Sequence, residues 1–400
     1  MARTLRVSVI VALLSAACTS NVSPPTSRAT ETAAETSAAS GGLTANPSPA
    51  SSVLPTETPS GIATGWALTA SFATTRASLY ATYATDVVAW NGRFVAIGRS
   101  DAPITGEGGD QRLWTSDDGR TWTEQDADFG TDDASLAGLA PLADGRLLAL
   151  GTVGVDLEPG IPPFRPLAWV SNDAVAWTAV KLPVPDGTTI SSFADGAMGY
   201  VFTLVSQLWF SADGHDWAST REGVRSVHAG DEGFVGIMAG DGSGPATVVA
   251  SADGVEWFIS KPIGTGIIDV APLGGDWLAT TYEESTISVW WSADGLDWER
   301  VLDVNDLTGP DGPKAGLGIE SGITSATLSG AGDLAVLTLS WNHCCAQLPV
   351  GVGAWTSTDG RTWNAALEPE GVVEAAAVGD VTVLVGFLNR GEEAAFWVGE

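Results

Sequence analysis

The most reactive cluster of side chains in the sequence is the run Trp341-Asn342-His343-Cys344-Cys345. Two adjacent cysteines can form a vicinal disulfide, or they can offer thiolates beside the imidazole. A zinc site is the least favoured interpretation, because adjacent cysteines do not have ordinary tetrahedral spacing and a fourth ligand is missing. We therefore predict a disulfide between the two cysteines that stiffens a loop, with free thiols as the main alternative, and no metal.

A second set of candidate groups lies in a motif that recurs six times. The motif has a Ser, an Asp two residues later and a Trp six residues after the Ser. We call each copy a repeat turn. The carboxylates could be metal ligands or acids, but each stands in its own repeat. In a turn, Asp and Ser accept hydrogen bonds from backbone amides, Gly supplies a positive φ, and Trp packs between sheets. We predict this structural role for Ser116, Asp118, Trp122, Asp173, Trp177, Asp213, Trp217, Asp253, Trp257, Asp294, Trp298, Asp359 and Trp363.

The elements around the repeat turns read as short alternating strands without helical periodicity. Each unit has an apolar second strand, and seven such strands occur against six complete repeat turns: 93–98, 146–150, 199–204, 233–238, 276–281, 333–339 and 381–388. The last unit stops at Trp397, and the strand that it lacks is found at Gly65-Trp66. The sequence therefore predicts an all-β, seven-bladed propeller over residues 62–400, in which Trp66 completes the blade that Trp397 opens.

The repeat turns resemble the Asp-box, or BNR, repeats of the sialidase-like propeller superfamily. The resemblance covers about residues 65–400 and rests on six aligned copies. These copies lack the residue that usually separates Asp from Gly, and Ala174 replaces the Gly in the second copy. The resemblance implies turns between the third and fourth strands of each blade, remote from ligands.

The same resemblance raises sialidase chemistry, in which three arginines hold a carboxylate and a Glu activates a Tyr nucleophile. Tyr282 stands beside Glu283 and Glu284 and is predicted at a loop mouth, whereas Tyr200 is predicted in the core and Tyr83 before the first blade. A glycoside hydrolase using this tyrosine and its neighbouring glutamates is therefore the alternative function.

The candidate arginines for that chemistry are Arg99, Arg165, Arg225 and Arg390. They map to blades that are far apart around the ring. The motif Phe164-Arg165-Pro166 is similar to the sialidase Phe-Arg-Ile-Pro motif, but it is predicted inside a second-to-third loop. Sialidases of the superfamily also have six blades. These departures favour a non-catalytic protein.

The two faces of the predicted ring differ in loop length. First-to-second turns and repeat turns share one face, which we call the repeat-turn face; second-to-third loops and blade connections share the loop face. The long segments all fall on the loop face: 99–111, 152–166, 282–285, 302–321 and 340–352. Since long loops on a rigid scaffold commonly carry binding, we predict a binding face there, with candidates Trp341, His343, Arg99, Arg165, Arg390 and Tyr282.

The N-terminal segment predicts export. Arg3 and Arg6 precede a short apolar run, and small residues precede Cys18, as in a signal peptide over residues 1–17. The segment resembles the lipobox of bacterial lipoproteins, which implies a lipid anchor on Cys18. Residues 18–61 are rich in Ser, Thr, Pro and Ala, so we predict a disordered tether.

Composition excludes some classes of partner. The formal net charge of −30 offers no basic face to nucleic acid. We expect a monomer without a cofactor, lipid-anchored on the extracytoplasmic side of the cell membrane. Its predicted function is a binding or scaffold module for a protein, glycan or envelope component.

Overall fold

The computed structural model of the chain is built from β-strands arranged in seven four-stranded antiparallel sheets. Residues Ala63–Glu400 form one compact unit. The structure describes residues 66–73, 81–101, 110–131, 134–155, 164–238, 247–264, 266–283, 286–303, 322–342, 351–366, 372–378, 381–388 and 393–399.

Each sheet is one blade, and its strands are hydrogen-bonded in the order in which they are given below. Blade 1 contains β2 (Ala81–Trp90), β3 (Arg93–Asp101), β4 (Asp110–Ser116) and β5 (Thr123–Gln125). Blade 2 contains β6 (Ala134–Pro141), β7 (Leu147–Gly154), β8 (Phe164–Ser171) and β9 (Thr178–Lys181). Blade 3 contains β10 (Ile190–Gly196), β11 (Gly199–Leu204), β12 (Gln207–Ser211) and β13 (Ala218–Glu222). Blade 4 contains β14 (Val224–Gly230), β15 (Gly233–Met238), β16 (Val248–Ser251) and β17 (Phe258–Ile259).

The remaining three blades follow the same plan, except that the last one takes its outer strand from the N-terminal part of the unit. Blade 5 contains β18 (Ile267–Leu273), β19 (Asp276–Glu283), β20 (Thr286–Ser292) and β21 (Glu299–Asp303). Blade 6 contains β22 (Gly322–Ala331), β23 (Leu334–Asn342), β24 (Gly351–Ser357) and β25 (Asn364–Ala366). Blade 7 contains β26 (Val372–Val378), β27 (Val381–Leu388), β28 (Glu393–Gly399) and β1 (Trp66–Ala73).

The first strands of consecutive blades contact one another around a central channel, and the contact between β26 and β2 closes the ring. In the split blade 7, β1 pairs with β28 over the range from Trp66 opposite Gly399 to Ala73 opposite Glu393. The prediction of an all-β, seven-bladed propeller closed by the N-terminal strand is confirmed. All seven predicted second strands are present.

The core lies in the seams, by which we mean the interfaces between consecutive blades. Second strands read as continuous apolar runs because neighbouring blades cover both of their faces; every residue of β11 is buried. At the seam between blades 7 and 1, Phe396 stacks on Trp122 with ring centroids 4.2 Å apart and meets Trp114 edge-on. Such aromatic side chains bury large areas, so the seams supply most of the hydrophobic stabilisation.

Several residues that the sequence analysis placed in loops or before the first blade lie in strands. Arg99 belongs to β3, and Tyr282 belongs to β19. Tyr83 lies within the first strand of blade 1, where it pairs with Arg99. Residues 164–166 begin the third strand β8 and do not belong to a loop. Trp341 lies in strand β23, where its register partner is Gly351. In each hairpin the backbone pairing continues past the apolar run, because ladder hydrogen bonds do not require apolar side chains.

Candidate functional site

The tyrosine of the alternative function lies at the loop-face end of blade 5. The side chain of Tyr282 is 44% exposed, and its backbone N–H donates to the carbonyl of Gly266 at 2.7 Å. Glu283 is also exposed and ends β19. Glu284 lies outside the described residues. Tyr282 is thus accessible to a ligand from solvent.

The predicted arginines bond to groups of the scaffold. Arg99 donates to the hydroxyl of Ser135 in the next blade, at 3.0 Å. Arg165 donates from Nε and Nη2 to the two carboxylate oxygens of Asp186, each at 3.0 Å. These bonds hold the pKa of Asp186 below its usual value. The two arginines therefore link neighbouring strands and blades.

A third arginine behaves in the same way at a different seam. Arg225 is the second residue of blade 4 and donates through Nη2 to the carbonyl of Ile267, the first residue of blade 5. Arg99, Arg165 and Arg225 thus stand in blades 1, 2 and 4, while Tyr282 stands in blade 5. Their positions differ from a triad that converges on one tyrosine.

Several predicted positions lie outside the described residues: Cys18, Glu284, His343, Cys344, Cys345 and Arg390. Within the part of the chain that the structure describes, no group of three or more His, Cys, Asp or Glu side chains is arranged to hold a metal ion. The described residues also contain no helix that is long and apolar enough to cross a membrane.

The repeat turns share one hydrogen-bond pattern. In the first copy, Asp118 Oδ1 accepts from the backbone N–H groups of Arg120 and Thr121 at 2.8 and 2.7 Å and from the Ser116 hydroxyl at 3.2 Å. Trp122 Nε1 donates to the carbonyl of Gly119 at 3.0 Å. The bonds from the backbone of Thr121 and Arg120 hold the pKa of the aspartate below its usual value. The carboxylate therefore serves the turn as an anionic acceptor.

The same aspartate bonds recur in the other five copies. The oxygen Oδ1 accepts two backbone N–H groups and the repeat serine in each of them, through Asp173, Asp213, Asp253, Asp294 and Asp359. The second copy has Ala174 at φ 65°, where the others have glycine. A buried methyl group in this left-handed conformation is strained, and the turn bonds hold it there.

A second polar pattern, which sequence reasoning missed, joins the first strands around the channel. Asp86 Oδ2 accepts the N–H of Leu139 in the next blade at 2.7 Å. Asp269 Oδ2 accepts the N–H of Leu328 in blade 6 at 2.9 Å. At the matching position of blade 3, Ser192 accepts the N–H of Val227 at 3.1 Å and donates to its carbonyl. Blades 1, 3 and 5 are thus each bonded to the blade that follows.

The channel encloses a cavity of about 300 Å³ that is lined by the first strands of all seven blades. The ionisable groups among its described lining residues are Asp86, Asp195, Asp269 and His228. His228 Nε2 lies 3.6 Å from Asp269 Oδ1. These four groups form a polar internal site, which is a candidate site together with the loop face.

Burial sets the charge state of the channel. It raises the pKa of Asp195 to about 6 and that of Asp269 to about 7. It also lowers the pKa of His228 to about 4. Removing these groups from bulk water penalises their charged forms, which favours a neutral imidazole and the protonated form of the two aspartates. The channel can therefore donate and accept hydrogen bonds.

A sequence signal for the channel does exist. Asp86 and Asp269 are each followed by four apolar residues inside a first strand. A buried carboxylate in such a strand requires a partner, and here the partner is a backbone amide of the next blade. The partner could be found only once the ring had placed consecutive first strands side by side.

Fold and site together define the chain as a seven-bladed β-propeller with an acidic channel. No family model matches the chain, and no curated protein matches it. Among solved structures it is similar to the Dos1 propeller, at 8% identity over 83% of this chain and 95% of that chain, with a TM-score of 0.48. The β-propeller domain of the Trilobed protease from Pyrococcus furiosus is 11% identical over 80% of this chain and 96% of that chain, with a TM-score of 0.47.

A sialidase is also among the similar structures. Trypanosoma rangeli sialidase in complex with sialic acid is 12% identical over 84% of this chain and 57% of that chain, with a TM-score of 0.44. At identities and TM-scores this low, the likeness says nothing about activity.

Proposed function

We propose that this chain is a membrane-anchored propeller on the extracytoplasmic side, where it acts as a non-catalytic binding or scaffold module for a protein, glycan or envelope component. The observation that carries the proposal is that the predicted arginines are hydrogen-bonded to groups of the scaffold. Arg99, Arg165 and Arg225 stand in three different blades and are each bonded to a scaffold group, which favours a structural role for them. The long segments that the sequence predicts on the loop face would then bind the ligand.

The proposed anchor rests on the N-terminal sequence. Arg3 and Arg6, the apolar run 7–14 and the small residues before Cys18 are what a lipoprotein signal requires. Residues 18–61 would then tether the propeller to the membrane, and the repeat turns would be of the Asp-box type. With Cys18→Ala, we expect loss of labelling by a radioactive fatty acid and release from the membrane fraction. Fatty-acid labelling of the variant would contradict the anchor.

Binding is tested with the loop face shortened in two places. Because β23 and β24 pair as far as Trp341 and Gly351, replacing residues 343–350 by Asn-Gly makes a short hairpin turn. We expect saturable binding of the wild-type protein to envelope fractions and loss of binding in this variant. The matched control replaces residues 102–109 between β3 and β4 in the same way. Binding that survives both replacements would contradict a loop-face site.

The alternative, hydrolysis of extracellular glycans, is tested on the same protein. Fluorogenic glycosides, including sialosides, are incubated with wild type and with Tyr282→Phe. We expect no turnover by either protein. Turnover by wild type that Tyr282→Phe abolishes would overturn the non-catalytic proposal and assign a role to this tyrosine and its neighbouring glutamates.

A further inference from the structure

In blades 3 and 5 the residue just before the repeat serine is aromatic and lies in the seam to the next blade. In blade 3 this residue is Phe210, whose ring lies against the repeat turn of blade 4: a Cβ built on Gly254 would stand 2.3 Å from Phe210 Cδ2. In blade 5 it is Trp291, which packs against Gly360 and carries the guanidinium of Arg361 4.7 Å above its ring. These two seams are therefore closed by an aromatic side chain.

The seam between blades 4 and 5 lacks such an aromatic residue. The residue before its repeat serine is Ala250, which is buried and extends no further than its methyl group. The turn glycine of this seam, Gly295, is packed against Val235 and Ala250, and a pocket of about 470 Å³ lies next to them on the repeat-turn face. Since a dry cavity of about 150 Å³ suffices for benzene, the space is large enough for an aromatic side chain.

The residues that line the pocket are suited to binding an aromatic side chain. Phe234 and Trp277 are buried behind it, and Leu296 of the blade 5 repeat turn flanks it. Phe258 also lines the pocket, although 57% of its side chain is exposed. An exposed aromatic residue beside an apolar pocket is what a binding surface for a large apolar group presents.

The charge around the pocket favours a basic residue next to the aromatic side chain that binds. Glu232 and Asp294 line the pocket, and the exposed Glu232 makes no hydrogen bond or ion pair to the rest of the described chain. The nearby cation Lys261 is neutralised by Asp297, with Nζ 2.5 Å from Oδ1. On a chain with a net charge of −30, this surface complements a cation and repels a carboxylate.

We propose that the seam pocket is a docking site for a partner polypeptide that inserts an aromatic side chain flanked by a lysine or arginine. The aromatic ring of the partner enters the pocket lined by Phe258, Phe234 and Trp277, and its cation faces Glu232. The site is on the repeat-turn face, so it is separate from the loop-face binding proposed above.

The test uses two small probes, N-acetyl-Phe-Lys-amide and N-acetyl-Phe-Glu-amide, with binding followed by ligand-detected NMR at low salt. We expect saturable millimolar binding of the lysine probe, as is usual for so small a ligand, and roughly tenfold weaker binding of the glutamate probe. Equal binding of the two probes, or no saturable binding of the lysine probe, would overturn the proposal.

The decisive variant is Ala250→Phe, which places a large side chain at a residue that lines the pocket. We expect it to weaken binding of the lysine probe by about tenfold or more while the protein stays folded. Ala250→Leu serves the same purpose if the larger side chain prevents folding. Undiminished binding to the filled pocket would overturn the proposal.

Charge is tested separately with Glu232→Gln, and Glu222→Gln on β13 is the matched control that removes the same charge elsewhere. We expect only Glu232→Gln to weaken binding of the lysine probe, by a few-fold at low salt. Sedimentation of the wild type tests another occupant. A dimer that Ala250→Phe dissociates would show that a second copy fills the pocket, and would overturn assignment to a different partner.

Discussion

Replacing Gly254 by alanine would place a methyl group inside the seam between blades 3 and 4. The backbone there has φ +75°, and the new Cβ would lie 2.3 and 2.4 Å from Cδ2 and Cε2 of Phe210. Real Cβ contacts are not this short, so the ring must shift away. The substitution therefore combines backbone strain with overpacking.

The magnitude follows from these two terms. An alanine in the left-handed conformation costs about 1–2 kcal/mol. Overpacking a filled site adds about 1–3 kcal/mol. We expect Gly254→Ala to lower the free energy of unfolding by about 2–5 kcal/mol in total. Gly92→Ala is the matched control, because that glycine has φ +76° but no heavy atom within 4 Å of the new Cβ.

The assay is urea unfolding followed by tryptophan fluorescence, with each midpoint compared at an unchanged slope. The control should lose only the backbone part, about 1–2 kcal/mol. Adding Phe210→Leu to Gly254→Ala should recover part of the loss, because it trims the atoms that clash. If Gly254→Ala cost no more than Gly92→Ala, the seam packing described for blades 3 and 4 would be wrong.

Three further predictions concern turns and buried charge. Val205 and Ser206 occupy a two-residue hairpin turn at φ 48° and 65°, so changing them to Asn-Gly should stabilise the protein by about 1–2 kcal/mol in urea unfolding; no gain would contradict the strain. The pKa of Asp269 is raised to about 7 in the fold, so its contribution to stability is present below about pH 4 and lost as pH rises through 7. As the pH rises from about 4 to 7, the free energy of unfolding of Asp269→Asn should increase relative to that of the wild type. A constant difference between the two proteins over this range would contradict the prediction. The backbone N–H groups of Glu256 and Val255 lower the pKa of Asp253, so its contribution to stability is lost as the pH falls below about 4. In Asp253→Asn, the free energy of unfolding should therefore fall less steeply with decreasing pH below about 4.

The number of blades could be predicted from the sequence because each blade carries its own local signal. Ser116 and Trp122 recur at fixed spacing, and Trp66 and Trp397 show where the split blade is joined. Such signals depend on residues close together in the chain, where turn chemistry is specific. The ends of the strands were predicted less well, because backbone pairing extends beyond the apolar pattern. Tyr83 and Trp341 lie in strands although the pattern placed them outside.

The channel and the seam pocket could not be predicted, since both depend on which blade lies next to which surface. Asp86 reads as an isolated acid in an apolar strand until Leu139 is placed beside it. Ala250 is visibly smaller than Phe210 at the same place in the repeat, but that difference becomes a pocket only when the residue is known to face the next blade.

Closure of the ring by the N-terminal strand is the central structural claim, and a cysteine crosslink tests it most directly. Ser71 on β1 is directly opposite Ala395 on β28, so cysteines at these two positions share one face of the sheet at a spacing that a disulfide can bridge. We predict that oxidation joins them, as shown by peptide mapping with and without reduction. Cysteines at 71 and 394 should stay unjoined, because they point to opposite faces. Failure of the 71–395 pair to crosslink, or preferential crosslinking of the 71–394 pair, would contradict the closed seven-bladed ring.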